Sequence, residues 1–295
     1  MTLAQLRSHA PDYLALIRFN KPVGTYLLLW PTLWALWLAA QGIPDLKLLI
    51  IFCLGTFLMR SAGCIINDYA DRHIDGHVKR TAQRPMATGR ISSKQALGFF
   101  VLLCLLSFVL VLFTNTLTIQ LSFAALALAS CYPFMKRYTH MPQLVLGMAF
   151  AMSIPMAFAA QTNSLPAILW LVYIAAVLWT IVYDTFYAMV DRDDDLRIGV
   201  KSTAILFGED DKTITAILQA CVIFTLCLVG QQFKLGAYFY LSLIIAAGFF
   251  IYQQQLIKLR ERNNCFKAFL NNNWVGMAIF IGIALDYALP PLFAS

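Results

Sequence analysis

Two groups of aspartates carry most of the chemistry that this chain can do. The first runs Asn67-Asp68-Tyr69-Ala70-Asp71-Arg72-His73-Ile74-Asp75; the second starts at Asp184 and ends Asp191-Arg192-Asp193-Asp194-Asp195. Together they hold eight of the thirteen aspartates of a largely apolar sequence. Carboxylates are costly beside lipid, so their concentration there marks a functional site by default. On a helix, residues 67, 71 and 75 share one face in steps of four. So do 183, 187, 191 and 195, with Asp184 one heptad before Asp191. Carboxylates stacked a turn apart repel one another unless a cation lies between them. A loose, water-accessible set of hard oxygens suits Mg²⁺, which binds through one or two carboxylates and takes its other ligands from water and phosphate. The metal-ligand candidates are Asn67, Asp68, Asp71, Asp75, Asp191 and Asp195. The basic residues Arg72, Lys79, Arg80, Arg84 and Lys201 are counterion candidates for the phosphates. A solvated acidic loop would account for one such cluster; it is a poor account of two.

The elements that must position these residues are membrane helices. The chain has 295 residues, 60% hydrophobic and 13% charged, with a mean hydropathy of +0.70. A span needs about 20 mostly apolar residues. Nine such segments are predicted, at 16–39, 46–66, 95–114, 117–133, 142–160, 166–185, 213–230, 236–256 and 271–290, in an all-α polytopic fold that reads as a single domain over 1–295. Their connections alternate between short ones poor in charge and longer basic ones. Of 22 Lys and Arg, only Lys47 and Lys234 fall on the first side. The excess of positive charge on cytoplasmic loops then puts the N-terminus, the long loops and both aspartate groups in the cytoplasm. No cleaved signal peptide is expected, because the first apolar stretch is too long for one. The net charge of +7 follows from this topology and from contact with anionic membrane lipid, and no basic run calls for nucleic acid. Seven cysteines form no CxxC pair and read as small buried hydrophobes.

A metal diphosphate held against an apolar bundle suits the ionisation of a prenyl diphosphate. Basic groups and Mg²⁺ stabilise the departing diphosphate, the hydrocarbon tail lies among helices, and aromatic side chains shield an allylic cation. Phe19, Tyr26, Trp30, Trp34 and Trp37 are available from the first span. Trp179, Tyr183, Phe186 and Tyr187 come from the sixth and its exit. Most are better explained as lipid-facing or interfacial aromatics.

Asn67-Asp68-x-x-Asp71-x-x-x-Asp75 resembles the NDxxDxxxD motif of the UbiA superfamily of intramembrane aromatic prenyltransferases, and Asp191-x-x-x-Asp195 resembles its second aspartate motif. Within the superfamily, longer stretches are similar to the bacterial 4-hydroxybenzoate polyprenyltransferases. They are Arg18–Thr25 with Trp30-Pro31-Thr32, Arg84–Arg90, Lys136–Gln143, and Asp184–Asp191 through Lys201–Gly208. The resemblance implies nine transmembrane helices around a central cavity with a cytoplasmic cap, in a bacterial inner membrane. It implies Mg²⁺-dependent transfer of a long polyprenyl group from polyprenyl diphosphate to the ring carbon ortho to the hydroxyl of 4-hydroxybenzoate, in ubiquinone synthesis. Asp71, Asp75, Asp191, Asp195 and Arg137 would be catalytic. Lys21, Arg60, Arg72, Lys79, Arg84, Arg137, Asp184, Tyr187 and Lys201 would bind substrates. Tyr187 stands where many members carry lysine, which leaves a diphosphate contact to Lys201 or Arg137.

Arg60 is the candidate anchor for the carboxylate of the aromatic acid. It lies seven residues before Asn67, so it shares that helix face roughly 10 Å deeper. An internal Asp or backbone carbonyls would also serve as its partner. Lys21 and Arg137 are the next candidates as anchor. His73, His77 and His140 have no metal-ligand spacing and read as solvated. Three other functions compete. A CDP-alcohol phosphatidyltransferase would need aspartates where Ser93 and Leu97 stand. An ion-coupled transporter would place its ionisable groups near mid-membrane. A transferase of the same type with a naphthoate, homogentisate or haem acceptor is the closest rival.

Overall fold

In the computed structural model, described over residues 3–290 with side chains from residue 10 onward, the chain folds into helices joined by turns and one long loop, 72–92. They are α1 (Leu3–Leu16), α2 (Val23–Ala40), α3 (Leu46–Asp71), α4 (Ser93–Val111), α5 (Thr116–Met135), α6 (Pro142–Ala151), α7 (Ser153–Thr162), α8 (Leu169–Ile198), α9 (Thr203–Leu206), α10 (Asp211–Gln232), α11 (Ala237–Leu256) and α12 (Arg262–Ala288). Among the described residues, nine helical stretches are long and apolar enough to cross a membrane, with α6 and α7 together making the fifth.

Local chemistry sets several of the ends. Asp45 opens α3 by accepting from the backbone N–H groups of Lys47 and Leu48. Ser92 and Gln95 form a reciprocal capping box at the start of α4, satisfying donors that a first turn leaves open. Asn115 caps α5 and reaches across to the carbonyl of Ala159, tying α5 to α7. Gly199, at φ 72°, closes α8 in the left-handed conformation that glycine adopts without strain.

Two sequence expectations need correction. The segment 16–39 is not one span: α1 ends at Leu16 and α2 begins at Val23, which leaves Arg18 and Lys21 in the turn between them. The span at 142–160 is broken at Met152, because Pro155 has no N–H to donate and its ring crowds the preceding turn. Helices α3 and α8 run past their apolar stretches, to Asp71 and Ile198. At 1.5 Å per residue, the 30 residues of α8 extend about 45 Å against a hydrocarbon layer of about 30 Å.

Helix α12 packs against α2, α8 and α11, while α8 also packs against α6 and α10. Three consecutive asparagines of α12 serve three different neighbours. Asn271 accepts from Gln253 of α11, Asn272 from the indole of Trp179 on α8, and Asn273 from that of Trp30 on α2. Helices α4 and α5 lie at the periphery, with Leu102, Leu105, Val109 and Phe123 exposed. A cavity of about 140 Å³ lies between α2, α3, α4, α5, α6 and α7.

Candidate active site

The first aspartate group straddles the end of α3. The helix stops at Asp71, and Asp75 opens a separate 3-10 turn, Asp75–His77. The expected face of 67, 71 and 75 on one helix is therefore corrected: only Asn67 and Asp71 share it. The hydroxyl of Tyr132 from α5 lies 3.5 Å from Oδ1 of Asn67. Asp68 is completely buried. It accepts from Arg18 at 2.6 and 2.9 Å and lies 3.1 Å from Arg84. Its visible work is to pin the α1–α2 turn and the 72–92 loop onto α3. Asp71 is paired with Lys136 at the end of α5, yet its Oδ1 is buried with no hydrogen-bond partner. Asp75 accepts from Arg84 at 2.9 and 3.0 Å. Burial pushes its carboxyl above the ordinary range; Arg84 pulls the other way, and the neighbouring Asp71 and Asp68 add to the rise.

The second group lies on the overhanging end of α8, and its members divide by face. Asp193 and Asp194 accept from Arg262 at the start of α12. Asp191 instead accepts from Nε of Arg80 at 3.1 Å, with a second contact from the same guanidinium. Asp195 lies beside Asp191 and Lys136. Asp184, two turns earlier, lies beside Gln143 of α6. Arg80 also covers the ring of Tyr187, 4.3 Å from its centroid, and donates to its hydroxyl.

The two groups are thus joined at one end of the bundle by cations. Arg80 and Arg84, four residues apart in one loop, serve Asp191 and Asp75. Lys136 pairs with Asp71 and neighbours Asp195. Shielding from water, and then the guanidinium groups of Arg18, Arg80 and Arg84, push the amine of Lys21 below the usual lysine range. Burial works against the charge of Arg84, but Asp68 and Asp75 outweigh it and push its pKa above the ordinary arginine value. Such a rim of converging cations suits a polyanion.

Other basic candidates have different surroundings. Arg72 donates to the carbonyl of Tyr69 and stacks on that ring at 4.3 Å. Arg137 donates to the carbonyl of Ala70, holding the α5–α6 turn against the end of α3. Lys201 lies 3.4 Å from the carbonyl of Tyr138, and Lys79 is exposed. His73, His77 and His140 are exposed. Lys136 was legible only within a family-like stretch, and Arg80 only as one base among several. What would have singled them out is long-range pairing, which spacing does not encode.

The cavity is mostly apolar, walled by residues such as Leu28, Ile51, Phe52, Tyr132 and Phe150, and Arg60 enters it. The hydrogen bond that the Arg60 side chain donates goes to Sγ of Cys64 at 2.6 Å. A guanidinium has five N–H donors; that of Arg60 is partly buried and lies near the carboxylate of Asp184 on α8 without bonding to it, so donors remain for a further anionic partner.

Among the described residues no three His, Cys, Asp or Glu side chains form a ready metal cage. Mg²⁺ needs none, since it keeps water and takes substrate phosphates. The unpartnered Oδ1 of Asp71, with Asp75 beside Arg84, Asp191 beside Arg80 and Asp195 near Lys136, gives a hard-oxygen set that fits this ion.

Comparison with known proteins agrees with this architecture. The chain is 62% identical over 281 residues to the 4-hydroxybenzoate octaprenyltransferase of Saccharophagus degradans, covering 95% of this chain and 94% of that one. Its fold matches the apo structure of a UbiA homolog from Aeropyrum pernix K1, with a TM-score of 0.78 at 26% identity over 88% of this chain and 97% of that one. It also matches a UbiA homolog from Archaeoglobus fulgidus bound to DMAPP and Mg²⁺, with a TM-score of 0.72 at 18% identity over 94% of this chain and 98% of that one. Residues 28–281 match the model of the UbiA prenyltransferase family. That stretch contains both aspartate groups, the cations that join them and the cavity beneath, and the chain belongs to this family.

Proposed function

We propose that this chain transfers a polyprenyl group from its diphosphate to the carbon ortho to the hydroxyl of 4-hydroxybenzoate, as a step in ubiquinone synthesis. One observation carries the reading: a cation-joined pair of carboxylate groups lies at the mouth of a bundle whose apolar cavity is lined by an arginine that is hydrogen-bonded to a thiol and to no carboxylate, with Asp184 its nearby counter-charge. Each part answers to one part of the reaction. Arg80, Arg84, Lys21 and Lys136 hold the diphosphate end. Asp71, Asp75, Asp191 and Asp195 would hold Mg²⁺, which supplies positive charge to the departing diphosphate when bound. The cavity takes the proximal hydrocarbon and keeps water from the allylic carbon. Arg60 grips the carboxylate of the acceptor with its planar fork and so turns the phenol ring toward that carbon. The C–O bond to diphosphate breaks, the C–C bond to the ring forms, and the ring proton leaves. Asp68, Arg72 and Arg137 support the frame of the site. Lys79, Tyr187 and Lys201 flank the diphosphate end, where Tyr187 works by orienting Arg80, and Asp184 lies deeper, beside Gln143 and near Arg60.

We place this end of the bundle in the cytoplasm of a bacterial inner membrane, with the N-terminus on the same side, because the basic connections gather there. The deciding experiment is a prenyl-transfer assay in membranes carrying the chain, with radiolabelled polyprenyl diphosphate and a panel of acceptors. Labelled product is expected with 4-hydroxybenzoate, and turnover with a naphthoate or homogentisate instead would reassign the acceptor.

A further inference from the structure

Gly24 lies in the first turn of α2 and faces Arg60 of α3. A Cβ built on Gly24 would stand 2.6 Å from Nε and 2.9 Å from Cζ of Arg60, with Nη2 closer still. Real Cβ atoms essentially never make such contacts. The guanidinium therefore fills the space that any side chain at position 24 would need. Nη1 is held from another direction, by the buried Sγ of Cys64 one turn along α3. Arg60 lines the cavity together with Gly63 of the same helix, where a Cβ would meet nothing within 4 Å. Two contacts thus fix the arginine head, and open space adjoins it on the cavity side.

We infer that Gly24 and Cys64 are positioning residues. The bare backbone at 24 and the thiol at 64 aim the Arg60 guanidinium into the cavity, and they thereby set the preference of the acceptor site for a carboxylate. This rests on the reading of Arg60 as the acceptor anchor. A bidentate grip on a carboxylate depends on where two N–H vectors point, so a small displacement of the fork costs recognition without removing the charge. Gly24→Ala is a fitting probe because the clashing atoms are the far end of a long side chain. Alanine is also the better helix former. The arginine yields and the helix stays.

The test uses the full chain in membranes, with steady-state kinetics for each substrate and a comparison of 4-hydroxybenzoate with 4-hydroxybenzamide. Gly24→Ala is expected to raise KM for 4-hydroxybenzoate about tenfold or more, the scale of a lost charge-assisted hydrogen bond. KM for polyprenyl diphosphate should not move, and the preference for acid over amide should fall by a similar factor. Cys64→Ala should lower that preference in the same direction. In an Arg60→Ala background Gly24→Ala should add nothing, because residues that act through one group are not additive. A wild-type KM and preference in Gly24→Ala overturns the inference, as does an effect that persists on top of Arg60→Ala. If Arg60→Ala alone leaves KM for the acid unchanged, it is the anchor reading that falls, and the two failures are told apart by that single variant.

Discussion

Within the first motif, adjacent aspartates have opposite duties. Asp68 is wholly buried between two arginines, while Asp71 keeps one buried oxygen without a partner. Removing one member of a buried ion pair strands the other charge and typically costs 3–5 kcal/mol. Asp68→Ala should therefore lower the thermal stability of the detergent-solubilised protein by about 3 kcal/mol. Asp71→Ala strands only Lys136, an amine 20% exposed to water, so it should lower the melting temperature less, and it should reduce kcat by about a hundredfold or more, the scale seen when a group stabilising transition-state charge is lost. Equal melting losses in both variants would refute the division. Arg80 makes a third case. Because its planar head stacks on Tyr187 while bonding to Asp191, lysine is a poor substitute. Arg80→Lys should raise KM for polyprenyl diphosphate nearly as far as Arg80→Ala, about tenfold, with KM for the acceptor unaffected.

Among the elements, α8 and α12 carry the arrangement. The overhang of α8 puts one aspartate face toward the loop arginines and another toward Arg262, so the same helix end serves the site and its own anchorage. Helix α12 supplies hydrogen-bond acceptors to tryptophans buried in apolar surroundings. Asn272→Ala strands the indole N–H of Trp179 and should cost about 1–3 kcal/mol, read as a fall in thermal stability, with a smaller change in kcat/KM. Much of this scale was legible in the sequence, because twenty apolar residues in a row have few other fates. The motif spacing also placed Asp191 and Asp195 on one helix correctly. The break at Met152 was signalled by Pro155 but masked by continuous hydropathy, and the extensions of α3 and α8 were legible from the aspartate spacing alone, because apolar windows end where charge begins. The single helix assumed through Asp75 failed because periodicity carries no stop signal there. The cation pairs were illegible, since Arg80 meets Asp191 from 111 residues away.

For the whole molecule, the segregation of charge makes two predictions. Turnover should vanish in excess EDTA and return with Mg²⁺, because four carboxylates facing one polyanion repel it without a metal. Persistent turnover in the chelator would sink the metal assignment. A cysteine replacing Tyr138, in the α5–α6 turn, should react with an impermeant maleimide only in inside-out vesicles, and one replacing Ile43, in the α2–α3 turn, only in right-side-out vesicles. The reverse pattern would invert the topology.

The placement of the bundle's hydrogen-bond acceptors on its last helix bears on how the protein is made. A ribosome delivers α2 and α8 to the membrane long before residues 272–276 exist. Until α12 arrives, the indoles of Trp30, Trp34 and Trp179 lack Asn273, the Gly276 carbonyl and Asn272, and Asp193 and Asp194 lack Arg262. Locking of the bundle is therefore expected to wait for α12. Nascent chains stalled or truncated before α12 will sit in the bilayer as inserted but unlocked helices, exposed to membrane proteases, however intact their catalytic motifs.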